Sequence, residues 1–342
     1  MPGNLSMMRH AFIALIAAGM ASVSVAQAQE RIIVDTVYVK EAMRRGALIW
    51  DVRSQNIYLR GHIPGAVNID SITDVLRDPR TEEYIAISEI ERTLGEAGID
   101  ASREVVLYGD KARPAAYFGY ITLRYLGVSD VTLYHGGIDD WKDGGNLVST
   151  DLVELPPTTF TARPNESLLA TTREVIQKID DPSVQIIDAR SVNEYAGEDI
   201  RALRGGHIPG AVNIPYQSNW VDPETPGKLA RKQVDNKDGM NLKPGDELRA
   251  IYAQLDPGKE TIVYCQSGSR ASVVATILKE VGFNKVRVYD ASWLGYGNTL
   301  NAPAENVTYF NVGHVNRMIR SLRNRIDLLE EEIEVLKETR QK

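Results

Sequence analysis

The sequence predicts an α/β protein of two tandem domains, each a parallel sheet flanked by helices, with a long helix added at the C-terminus. Three observations predict it. Short β-branched runs alternate with helical stretches, the pattern of a parallel sheet covered by helices. The pattern also occurs twice. Leu48-Ile49-Trp50-Asp51-Val52-Arg53-Ser54 and Gly61-His62-Ile63-Pro64-Gly65-Ala66-Val67-Asn68-Ile69 recur as Gln185-Ile186-Ile187-Asp188-Ala189-Arg190-Ser191 and Gly206-His207-Ile208-Pro209-Gly210-Ala211-Val212-Asn213-Ile214. Finally, residues 309–342 carry apolar side chains at the 4-3 spacing of a coiled-coil seam.

In chain order, residues 1–28 read as a secretory leader. Arg9 and His10 precede an uncharged apolar run from Ala11 to Val25, which ends at Ala26-Gln27-Ala28. Cleavage after Ala28 removes one positive charge, so the net charge goes from −7 to −8 and Gln29 becomes the first residue. Met7 or Met8 serves equally well as a start. The expected location is the periplasm or the exterior, with no membrane span left after cleavage. An acidic mature chain argues against nucleic acid as a partner.

The two domains are expected over residues 30–150 and 165–302, with 151–164 as a Pro-bearing linker. The first begins at Ile32-Ile33-Val34 and continues through Val105-Val106-Leu107-Tyr108 and Val131-Thr132-Leu133-Tyr134. Their counterparts are Leu168-Leu169-Ala170, Ile262-Val263-Tyr264 and Val286-Arg287-Val288-Tyr289. The second domain carries two inserts, around Gly197 to Arg204 and from Asn219 to Pro244, in loop positions where specificity elements accumulate.

The chemistry is expected at Cys265, the sole cysteine. It closes a strand and opens a Gly/Ser loop, Gln266-Ser267-Gly268-Ser269-Arg270, that runs into a helix. Backbone N–H groups fan around such a sulfur, and the positive end of the helix dipole favours a thiolate nucleophile and an anionic substrate. A single cysteine in an exported chain makes no intramolecular disulfide, which also points to a reactive role. The cradle from Cys265 to Arg270 is six residues, sized for one added sulfur, and is short for a phosphatase or arsenate reductase.

The paired Asp-x-Arg-Ser and Gly-His-Ile-Pro-Gly-Ala-Val-Asn-Ile motifs, the Cys-x4-Arg loop and the Val288 to Gly297 stretch make residues 31–303 resemble the tandem-domain rhodaneses. These are the thiosulfate and 3-mercaptopyruvate sulfurtransferases. The resemblance implies two rhodanese-like domains, the second catalytic and the first lacking the cysteine, with the active site facing the cleft between them. It implies sulfur transfer through a Cys265 persulfide, from a small sulfur donor to a thiol or cyanide, with no cofactor or metal. Gln266 after the cysteine and Arg270 at the loop end lean towards thiosulfate and away from mercaptopyruvate. An exported persulfide carrier that docks on a protein acceptor is the alternative from another class.

Gln266 and Ser267 are placed to hydrogen-bond a donor, and Gly268 permits the tight curl. Arg270 either neutralises charge at the loop exit or braces the loop. Vertebrate thiosulfate enzymes place an arginine where this chain has Glu194, so compensating charge is expected from Arg201 and Arg204, or from Arg231 and Lys232. Asp188 with Arg190, like Asp51 with Arg53, reads as a structural tie. His207 and His62 recur in both halves and are read as structural, and Trp293 as support near the site. The first-domain loop Gly109-Asp110-Lys111-Ala112-Arg113 cannot accept sulfur, although Lys111 or Arg113 could lend charge to the cleft.

In the tail, Val315, Ile319, Leu322, Ile326, Leu329, Ile333 and Leu336 define the seam. Ile at a and Leu at d suit a parallel homodimer through residues 315–336, with Arg325 facing Glu330 and Glu332 facing Lys337, whereas an antiparallel pair is expected to place Arg323 against Lys337. A helix folded back onto its own domain would use the same narrow seam.

Overall fold

A computed structural model describes residues 31–340, so the expected leader over 1–28 lies outside the described residues. The first domain contains strands β1 (Ile33–Val34), β2 (Leu48–Asp51), β3 (Val105–Tyr108) and β4 (Val131–Tyr134). They form one parallel sheet in the order β1-β4-β3-β2. Every residue of β2, β3 and β4 is buried, because helices cover both faces. This is why these strands read as unbroken apolar runs.

The second domain contains β5 (Leu169–Ala170), β6 (Val184–Asp188), β7 (Arg204–His207), β8 (Val212–Asn213), β9 (Glu260–Tyr264) and β10 (Val286–Tyr289). Five of them make a parallel sheet in the order β5-β10-β9-β6-β8. Strand β7 stands apart and pairs antiparallel with β11 (Glu305–Tyr309). The chain beyond residue 302 therefore returns to the second domain before the tail begins.

Two helices join the halves. Helix α1 (Pro114–Tyr125) follows β3, and α2 (Ser269–Glu280) follows β9. Both are apolar nearly all round, as a helix held between two layers must be. Ala116, Tyr120 and Leu123 of α1 belong to one contiguous buried cluster with Val274, Ala275 and Leu278 of α2. The ends of β3 and β9, and the loops that follow them, thus come to the same region. The carboxyl edge of a parallel sheet is where such folds place their ligands.

Other segments fasten the two domains. Across 219–244, Lys237 pairs with Asp139 at 2.7 Å, and His135 Nε2 donates to the Met240 carbonyl at 2.9 Å. Trp220 and Met240 pack on Ala112. This insert is a strap onto the first domain, and the charges expected to face a substrate are spent on that contact or on solvent. The 151–164 stretch is held too, with Thr158 N–H donating to the Gly95 carbonyl and Phe160 buried.

Helix α3 (Val312–Arg340) forms the tail. Asn311 caps it by accepting from the His314 N–H at 2.8 Å. Its seam is half-buried at Val315 and open from Ile319 onward, with 41% exposure at Leu329 and 60% at Leu336, so the helix does not fold back onto its own domain. Among the described residues no helix is long and apolar enough to cross a membrane.

Candidate active site

Cys265 lies at the end of β9 and is 1% exposed. The loop after it curls into α2 through Gly268, which has φ +85°. A Cβ there would lie 2.5 Å from Asp290 Oδ1 and 2.8 Å from Arg77 Nη2, so only glycine fits. The loop is secured from behind by the segment after β10. The N–H groups of Cys265 and Gly268 both donate to Ser292 Oγ at 3.0 Å, and that hydroxyl donates to the Tyr289 carbonyl at 2.7 Å. Trp293 and Leu294 N–H groups donate to the carbonyls of Cys265 and Gln266. Two loop N–H groups thus have protein acceptors, and the site is narrower than a fan of free donors.

Arg270 turns away from the role of a free cation. Its Nη1 and Nη2 donate to Glu194 at 2.6 and 2.8 Å, a bidentate pair. Glu194 is buried, and also accepts from Ser191 N–H as the return arm of a capping box. Burial opposes its ionisation, but the hydrogen bonds and charge of Arg270 prevail and hold it at about 2. Arg270 is in turn pushed up: burial opposes its charge, but Glu194 and the nearby Cys265 sulfur outweigh it. Glu194 therefore takes the charge of Arg270, and it orders the loop from the position where vertebrate enzymes carry arginine.

The other candidates fall into two groups. Arg201 is half exposed and reaches the same carboxylate at 3.3 Å, while its carbonyl accepts from Gln266 Nε2 at 2.7 Å. Gln266 is thereby turned inward, and its Oε1 is buried without a partner among the described residues. Arg204 is not brought to the loop. Its guanidinium donates to the carbonyls of Thr299 and Ala302 at 3.1 and 2.9 Å and packs over Trp293 and Tyr296. The Trp293 indole N–H donates to the Arg204 carbonyl at 2.9 Å. Arg231 and Lys232 lie at the surface of the strap.

The duplicated motifs form duplicated structure. Arg190 clasps Asp188 and donates to the Gly206 carbonyl at 2.7 Å, just as Arg53 clasps Asp51 and donates to Gly61 at 2.9 Å. His207 stacks on Tyr195 and donates to its carbonyl, and His62 does the same with Tyr58. The ties brace the loop after the second strand in both halves, with or without a cysteine nearby.

Two residues at the site, Arg77 and Tyr216, carry no signal that local reading detects, and Asp290 lies in the Val288 to Gly297 stretch with no role read for it. Arg77, in the first domain, donates through Nη1 to the Ser267 carbonyl at 2.6 Å and through Nη2 to Asp290. Asp290 is pushed up to about 6 by burial, against the pull of Arg77. Tyr216 packs with Ala112 and lies edge-on to Trp220, within electrostatic reach of Arg270 and Arg113. Burial is the largest influence there, and it pushes the Tyr216 hydroxyl up, against the pull of Arg270 and Arg113. Lys111 is buried and paired to Asp140 at 2.7 Å, so of the two first-domain cations only Arg113 is exposed. A cavity of about 430 Å³ opens between Thr73, Asp74, Arg77 and Asp78 of the first domain and Ser267 and Ser269 of the loop.

The Rhodanese-like domain family matches residues 35–144 and 171–299. The thiosulfate sulfurtransferase of Corynebacterium glutamicum is 34% identical over 261 residues, covering 73% of this chain and 81% of its own. The sulfur carrier protein TtuD of Thermus thermophilus is 34% identical over 262 residues, covering 72% and 86%. Among solved structures, the 3-mercaptopyruvate sulfurtransferase SseA of Escherichia coli superposes with a TM-score of 0.66 at 28% identity, covering 77% of this chain and 99% of that one. Two matched domains with this loop and these relatives assign the chain to the rhodanese family of sulfurtransferases.

Proposed function

We propose that the protein is an exported thiosulfate sulfurtransferase working through a Cys265 persulfide. The supporting observation is Cys265 itself, at the floor of a braced backbone loop that opens α2. The Cys265 thiolate attacks the outer sulfur of thiosulfate. The new S–S bond forms as the bond to the sulfonate sulfur breaks, and sulfite leaves with the electron pair. A thiolate or cyanide then attacks the persulfide's outer sulfur, which releases Cys265 as thiolate and gives a new persulfide or thiocyanate. The partial charge at the N-terminus of α2 favours the anions of both steps.

The donor's sulfonate charge needs a cation, and Arg270 is already neutralised by Glu194. Arg113 supplies it from the first domain. It follows Ala112, which packs with Trp220 and Tyr216, and its side chain is exposed near the Tyr216 hydroxyl. Asp74 and Asp78 line the cavity at the loop, and Asp74 also shares a pocket with Arg113, so these carboxylates repel a dianion that strays from the arginine.

Thiocyanate formation with thiosulfate and 3-mercaptopyruvate in parallel tests the reading, with Cys265→Ser as control. Fast turnover on thiosulfate, lost in the variant, is expected. Preference for 3-mercaptopyruvate would replace the donor. Slow turnover with both, despite a persulfide on Cys265 by intact mass, would favour a carrier, a reading that the likeness to TtuD supports. A mature chain beginning at Gln29 by mass spectrometry is the expectation for export.

A further inference from the structure

We propose that the open seam of α3 is covered by a second copy of this chain, running antiparallel. The helix is 29 residues long, about 43 Å, and makes no use of its apolar stripe within one chain. Its charges are segregated. Arginines stand at 317, 320, 323 and 325, and carboxylates at 327, 330, 331, 332 and 334, before Lys337, Glu338 and Arg340 in the last turns.

An antiparallel copy lays the basic half of each helix beside the acidic half of the other. In the register that sets Ile326 against Leu329 of the second copy, Leu322 meets Ile333 and Ile319 meets Leu336. The flanking contacts are then Arg325 with Glu332 and Arg323 with Glu330, each occurring twice and each of opposite sign, so this register avoids the Arg323–Lys337 clash expected of an antiparallel pair. The parallel register expected from Ile at a and Leu at d also makes opposite-sign contacts, but it sets basic half beside basic half and acidic beside acidic.

Attachment points the same way. Only Phe310 and Asn311 separate β11 from α3, and β11 is hydrogen-bonded to β7 of the catalytic domain. A parallel pair crowds both catalytic domains at one end of helices spaced about 10 Å apart. The antiparallel pair sets them at opposite ends.

The test uses the full chain with Cys265→Ser, so that no native thiol competes. Light scattering is expected to give a dimer. After mild oxidation, a mixture of Ile319→Cys and Leu336→Cys chains is expected to form the mixed disulfide, with neither chain linking to itself. Arg323→Glu with Arg325→Glu should weaken self-association at least tenfold, and mixing with Glu330→Arg/Glu332→Arg chains should restore it. A monomer at micromolar concentration, or Ile319→Cys chains that link to themselves, would overturn the proposal.

Discussion

Arg77 donates to the carbonyl of Ser267 at 2.6 Å, so a side chain of the domain without a cysteine grips the loop that has one. The same guanidinium pairs with Asp290, two residues before the serine that holds the loop's N–H groups. Phe118 stacks beneath it, 4.2 Å away. The first domain is thus part of the mechanism that fixes the position of the sulfur.

Arg77→Ala is expected to lower kcat for sulfur transfer about tenfold or more and to cost about 3 kcal/mol of stability, because it leaves Asp290 buried without its cation. Arg77→Lys should recover part of kcat, since it keeps the charge but loses the two-pronged geometry. Steady-state kinetics beside urea unfolding separate the two effects. A kcat unchanged in a folded Arg77→Ala protein would refute the positioning role.

The sheet strands, the duplicated ties and the cysteine loop were legible in the sequence because each rests on local pattern. Burial on both faces makes β2, β3 and β9 apolar runs, and Asp188 and Arg190 are two residues apart. Arg77 was not legible, since 190 residues separate it from Ser267 and its own surroundings carry no motif. Arg204 misled for the opposite reason. A charged residue in an insert suggests solvent or substrate, yet this one caps the carbonyls after the 292–298 helix. Charge alone does not say which partner a long side chain will find.

The Glu194–Arg270 pair gives a pH-dependent stability with a defined direction. Glu194 ionises at 4.5 when unperturbed and at about 2 in the fold, a difference of roughly 3 kcal/mol. A folded-state value below the unfolded one means that the stabilisation is complete above pH 4.5 and is lost as pH falls towards 2. Glu194→Gln should therefore destabilise at pH 7 and show a flatter stability profile between about pH 5 and 2. Urea unfolding across that range checks it. Parallel profiles for the two proteins would show that the pair contributes nothing.

Gly268→Ala is expected to abolish sulfur transfer. The substitution requires an L-residue at φ +85° and drives a methyl group against the Asp290 carboxylate and the Arg77 guanidinium. A cost of about 1 to 3 kcal/mol follows from backbone strain, before any displacement of the ion pair. Gly65→Ala and Gly210→Ala share the positive φ but meet no atom within 4 Å, so they should pay only the strain. Comparing thermal unfolding and turnover of the three variants isolates the steric part. Equal loss of turnover in all three would assign the effect to strain alone.

Arg113→Ala tests how the anionic donor is recognised. Arg270 and the half-exposed Arg201 both meet Glu194, Lys111 pairs with Asp140 and Arg204 with main-chain carbonyls, which leaves Arg113 as an exposed cation near Tyr216. Removing it should raise the KM for thiosulfate about tenfold with kcat nearly unchanged, the signature of lost charge attraction without loss of chemistry. Raising the ionic strength should narrow the gap between the variant and the parent, because an exposed cation is screened. Arg113→Lys should keep most of the affinity. Sulfite, which shares the charge of the leaving group, should inhibit the variant less strongly than the parent. A thiosulfate KM and a sulfite inhibition both unchanged in Arg113→Ala would move donor recognition back to the N-terminus of α2 and the loop's own N–H groups.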